Sequence, residues 1–104
     1  MALLGNPFVA NVTKQMTMDE TVQALRVDLA GELEAIIGYE AHAMSTDDER
    51  VKKVLLHIAD EERQHVGELQ QLLYILCPKE SEHIEKGKQA IVQQQQQNFQ
   101  GQLQ

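Results

Sequence analysis

The sequence predicts an all-α fold, an antiparallel two-helix hairpin followed by a short C-terminal helix. Three observations lead there. Two runs of nearly 30 residues place apolar side chains at alternating steps of three and four, the period of a helix packed against a nearly parallel neighbour. The segment between them, Ser45-Thr46-Asp47-Asp48-Glu49-Arg50, is polar and carries helix-start signals. No stretch alternates apolar and polar residues as a half-buried strand does.

Residues 1–16 have no helical period and contain Gly5 and Pro7, so they read as an irregular N-terminal segment. Thr17-Met18-Asp19-Glu20 then forms a capping box, in which the Thr17 hydroxyl accepts an orphan amide and Glu20 reaches back to the cap. The first helix, 17–44, has the seam Val22, Leu25, Leu29, Glu32, Ile36, Tyr39 and Ala43. Thr46 with Glu49 makes a second capping box, and Asp47 and Asp48 favour the positive end of the next helix dipole. The second seam runs Val51, Leu55, Ile58, Glu62, His65, Leu69, Leu72 and Leu76, and Cys77-Pro78 stops the helix. Each helix is ~45 Å long at 1.5 Å per residue, and a short connection between two such helices makes an antiparallel hairpin. A third helix is expected over 79–93, weakened by Gly87. Residues 17–92 thus read as the helical domain, and 93–104 as a glutamine-rich, disordered tail.

A chain of 104 residues is one small domain, and two helices alone bury little, which favours assembly. The balance of 9 basic and 16 acidic residues, net −7, argues against nucleic acid or anionic membrane as a partner and suits the handling of cations. The single cysteine, Cys77, excludes an intrachain disulfide. No apolar run nears the ~20 residues of a membrane span. The opening "MALLGNPFVA" lacks the basic and apolar regions of a signal peptide, so the expected location is cytoplasmic.

Chemistry enters where the seams turn polar. Glu32 lies near the middle of the first helix, Glu62 and His65 near the middle of the second, and in an antiparallel hairpin midpoints face midpoints. Unpaired carboxylates on a dry seam cost several kcal/mol, which a divalent metal offsets. The i, i+3 spacing of Glu62 and His65 lets both grip one ion, and carboxylate with imidazole suits iron, manganese or zinc. Carboxylate-bridged di-metal bundles take one Glu from each of two helices and Glu-x-x-His from each of two others. This chain carries half of that set, so two copies about a twofold axis would complete both a four-helix bundle and the site. A non-catalytic zinc or manganese site and a purely helical interaction module, with polar residues fixing register, are the alternatives. Tyr39 reads equally as a core aromatic or as a group supporting the ligands. A second Glu-x-x-His, Glu80 and His83, sits among Lys79, Glu82 and Lys86 and reads as a solvated face. His42 and His57 fall off the seams and are expected to face solvent.

"ELEAIIGYEAH" (32–42) and "ADEERQHVGEL" (59–69) together resemble the ferritin-like superfamily, most closely the encapsulated ferritins, over residues 18–90. The resemblance implies a ferroxidase centre built between two subunits, with Glu32, Glu62 and His65 as iron ligands and Tyr39 beside them. It implies oxidation of Fe(II) to Fe(III) for iron storage or detoxification, with zinc, manganese or calcium able to take the place of iron. It also implies homodimers assembled into a ring, a decamer, inside an encapsulin nanocompartment in the cytoplasm. Glu34 matches part of an acidic access-side metal site, but Gly31 and Gly38 stand where the family tends to carry further acidic and aromatic residues. The closing "GQLQ" corresponds only weakly to the family's short apolar cargo tail. A peroxidase of the rubrerythrin type is a further enzyme alternative, against which the absence of rubredoxin-like cysteines counts.

Overall fold

In the computed structural model, which describes residues 15–103, the first helix, α1, spans Met18–Met44. The expected irregular segment 1–16 lies outside the described residues except for Gln15 and Met16. The capping box closes as its sequence requires. The Glu20 amide donates to Thr17 Oγ1 at 3.1 Å, and the Thr17 amide donates to Glu20 Oε1 at 3.0 Å. At the far end the Ser45 amide donates to the His42 carbonyl at 3.1 Å, and the chain turns.

The second helix, α2, spans Glu49–Leu76, and its cap is Asp48 rather than Thr46. One oxygen of Asp48 accepts from the amides of Arg50 at 2.9 Å and Val51 at 3.3 Å. A carboxylate directly before the first turn reaches two orphan amides and carries charge suited to the dipole. Thr46 stands two residues too early; its hydroxyl instead accepts the Asp48 amide at 3.2 Å. The Arg50 guanidinium also grips Asp48, through Nε at 3.1 Å and Nη2 at 2.8 Å. That bond, with the two amides, holds the Asp48 carboxyl below its ordinary value of 3.8.

The core is a thin line between α1 and α2. From α1 it takes Val22, Ile36 and Ala43, all on the predicted seam. From α2 it takes Ala59 and Leu73, and here the predicted seam needs correction. Leu55, Ile58, Glu62, Leu69 and Leu76 are half-buried as expected, but Val51, His65 and Leu72 are exposed and their burial passes one residue on, to Lys52, Val66 and Leu73, while Ala59 is buried beside Ile58. At 58/59, 65/66 and 72/73 either neighbour fits the period. At 65/66 burial goes to Val66, which costs nothing to desolvate, over His65, which does. Ala59, with no accessible surface left, has the small side chain that lets two backbones approach. The elongated result has a radius of gyration of 18.3 Å, where a compact chain of this length gives about 13 Å.

Cys77 alone joins α2 to the third helix, α3 (Pro78–Leu103). Its amide closes α2 on the Leu73 carbonyl at 2.7 Å, and its carbonyl receives the Glu80 and Ser81 amides at 3.0 and 3.3 Å. Pro78 fits the first helical position, where its missing N–H is no loss. α3 is longer than the spacing predicts, continuing past residue 93 through the glutamine run, because glutamine is a good helix former and no glycine or proline intervenes before Gly101. From Glu85 to Gly101 every side chain is exposed, and after Lys88 none is ionisable. Among the described residues no helix is long and apolar enough to cross a membrane.

Two outcomes follow from the caps. Thr17→Ala should lower the unfolding free energy by about 1 kcal/mol, read as a shifted urea midpoint at unchanged slope. A depressed carboxyl stabilises the fold above its unfolded-state pKa and loses that contribution as pH falls through the folded value. The thermal midpoint of the wild type should therefore exceed that of Asp48→Asn at neutral pH, with the gap closing from about pH 5 downward. A gap independent of pH would assign the cap's strength to neutral hydrogen bonds alone.

Candidate metal centre

Glu32 sits half-way along α1, Glu62 and His65 half-way along α2, and the short turn sets the two midpoints side by side. Glu62 occupies the seam of α2, and His65 projects one step to its side. Their ligand atoms and that of Glu32 all lie within 4.8 Å of one another. Nδ1 of His65 is 3.4 Å from Glu32 Oε2 and 3.4 Å from Glu62 Oε2.

These separations are too long for good hydrogen bonds and close to what a shared cation needs. Donors ~2.1 Å from one ion and at right angles about it stand ~3 Å apart. Two carboxylate oxygens and one imidazole nitrogen make a hard-to-borderline donor set that fits iron, manganese or zinc. The group opens to one side: side-chain exposure rises from 17% at Glu62 and 25% at Glu32 to 46% at His65. Among the described residues nothing closes over the imidazole, which stays nearly half exposed. Among the described residues no other cluster of three such groups occurs.

The flank on which His65 stands carries both apolar and acidic side chains. Val51, Val54, Ile58, Glu61, His65, Glu68 and Leu72 succeed one another at alternating steps of three and four, hence on one stripe of α2. Val51, Val54 and Leu72 are exposed there. Tyr39, half-buried, stands two turns from Glu32 on the same side of α1. Arg63, beside Glu62, faces the other flank: Nη2 donates to Glu40 at 2.7 Å and Nη1 to Asp60 at 3.0 Å, bridging the two helices. Donating to the Glu40 carboxylate raises the Arg63 pKa above its ordinary value. The charge run 60–63 carries no sequence signal that Arg63 reaches across the hairpin, since Glu40 is 23 residues away.

Other residues singled out by the sequence stay apart from the cluster. Glu34 is exposed on α1. Glu80 pairs with Arg26, and His83 is exposed. His42 is exposed, and His57 lies 3.0 Å from Glu61 on the surface of α2.

With this geometry, relatives are informative. A family model described as the ubiquinone biosynthesis protein COQ7 matches residues 19–81, the helical region that includes all three clustered residues. The chain is 37% identical over 81 residues to the encapsulin nanocompartment cargo protein EncC of Myxococcus xanthus, a match covering 78% of this chain and 62% of that protein. It is 38% identical over 86 residues to a ferritin-like-encapsulin shell fusion protein of Pyrococcus furiosus, covering 83% of this chain and 25% of the fusion. The crystal structure of the encapsulated ferritin domain from Pyrococcus furiosus matches with a TM-score of 0.74 at 38% identity, over 83% of this chain and 88% of that domain. By its sequence and its all-helical hairpin alike, the chain belongs to the encapsulated ferritins of the ferritin-like fold.

Proposed function

We propose that the protein is a ferroxidase, oxidising Fe(II) to Fe(III) at a two-iron centre formed between two copies, for iron storage or detoxification within an encapsulin shell. The observation that carries this reading is the cluster of Glu32, Glu62 and His65, open on the flank where Val51, Val54 and Leu72 are exposed. Three protein donors leave a divalent ion short of ligands, and a second copy seated on that flank supplies the rest while burying its exposed apolar side chains. In that arrangement each Glu62–His65 pair holds one iron substrate and the two Glu32 carboxylates bridge the ions.

Each Fe(II) gives up one electron, so a pair supplies the two that take O2 to peroxide, or peroxide to water, with protons from solvent. The carboxylates bind Fe(III), the harder ion, more tightly than Fe(II), which favours oxidation. Tyr39 is assigned a supporting role beside the ligands, and Glu34 one of drawing cations toward the acidic surface. Zinc, manganese and calcium are competing occupants. The named relatives are an encapsulin cargo protein and an encapsulin fusion, which supports a shell as partner and a cytoplasmic nanocompartment as location. Dimers assembled into a ring, a decamer, complete the reading.

Stopped-flow absorbance after aerobic addition of Fe(II) should show a fast ferric rise in the wild type. That rise should be lost in Glu32→Ala, Glu62→Ala and His65→Ala, each of which removes a ligand from both halves of the site, while His83→Ala behaves as wild type. A wild type that binds zinc or manganese but gives no fast rise would make the site a non-catalytic one.

Assembly should depend on metal as well. Without it a twofold interface gathers four carboxylates around two imidazoles, and like charges oppose association. Metal that binds only the dimer must stabilise it by mass action. Native mass spectrometry of metal-free protein should show larger species on adding Fe(II), reversed in part by a chelator. A distribution unmoved at saturating metal would return the site to a single chain.

A further inference from the structure

The second Glu-x-x-His takes no part in the metal cluster, and its glutamate does other work. Glu80 stands in the first turn of α3, and its Oε1 accepts from Arg26 Nη2 at 2.6 Å and Nε at 3.2 Å. Nη1 of the same guanidinium donates to Gln23 Oε1 at 3.1 Å, so Arg26 is held on its own helix as it reaches across. The remaining attachments of α3 are few. A single residue, Cys77, connects it to α2, and every described side chain of α3 beyond Ile84 is exposed. Further out, the Lys88 ammonium lies 5.9 Å from the Tyr74 ring centroid. Among the described residues no Cα of α3 comes within 8 Å of any in α1. The Arg26–Glu80 bond thus ties α3 to the first helix where no close backbone approach does.

We propose that the Arg26–Glu80 pair is a latch that fixes the angle of α3 against the hairpin. Leverage gives a small bond a large effect. α3 has 26 residues, and at 1.5 Å per residue extends ~39 Å, so a modest rotation at Cys77 sweeps its outer half through many ångströms. That half carries the exposed Ile91, Val92 and Phe99. The latch thus decides where those side chains are presented. With 24% and 42% of the two side chains exposed, the bond is partly shielded yet open to screening by salt.

The test is electron–electron double resonance on the full chain, with spin labels at Ala30→Cys in α1 and Gln95→Cys in α3, in a Cys77→Ser background. Labelled chains are diluted with unlabelled ones so that only distances within one chain are read. The latched chain should give a narrow distribution. Glu80→Gln should broaden it, reducing the latched population by about fivefold, the upper range for a half-exposed pair. The charge swap Arg26→Glu with Glu80→Arg should narrow it again. Arg26→Gln breaks the same contact from the other side and replaces Glu80→Gln if that variant loses helical circular dichroism. A distribution unchanged in the neutral variants, or one that the swap fails to narrow, overturns the latch.

Discussion

The packing of α1 against α2 is the contact on which the rest of the molecule depends, and it is interrupted at half-length by charge. Only Val22, Ile36, Ala43, Ala59 and Leu73 are buried among the described residues, so the hairpin has little apolar burial to spare. Glu32 and Glu62 occupy seam positions that aliphatic side chains would fill with gain in a chain selected for stability alone. They are tolerated because the seam lies near the surface at that level and the carboxylates keep part of their hydration. The same partial exposure leaves them reachable by an ion.

Position along each helix and rotation about it are set by different means. The Thr17 box and the Asp48 cap fix where each helix begins, and the short turn then brings the two midpoints level. Rotation is decided by which of two adjacent residues is buried. Choosing Ala59, Val66 and Leu73 turns α2 so that His65 stands at the edge of the seam. On the opposite flank Arg63 and Glu40 bridge the helices. The hairpin therefore has two unlike sides, one bridged by ion pairs between the helices and one open around an imidazole, with exposed apolar and acidic side chains along it.

Much of this is legible in the sequence. The capping box at Thr17, the turn, the stop at Cys77-Pro78 and the meeting of Glu32, Glu62 and His65 all follow from spacing and composition. What spacing cannot supply is a choice between neighbours that satisfy it equally, which is why the α2 seam is displaced at alternate positions. The Thr46 signal fails because Asp48, directly before the first turn, is a stronger acceptor in a better place. The extent of α3 is hidden for another reason: a glutamine run has low complexity, as disordered segments do, and high helix propensity, and composition alone does not separate them.

The absence of ionisable side chains after Lys88 divides the molecule electrically. All the net charge of −7 is carried by the part of the chain that ends there. Ionic strength and acidity therefore act on the two parts unequally. Changing either alters repulsion between hairpins and the approach of cations, but leaves the amide-rich outer end of α3 with the same hydrogen-bonding and apolar character. Salt therefore reaches the contacts made by that end only through the Arg26–Glu80 bond that sets the angle of α3, whereas it screens the charged surface of the hairpin directly.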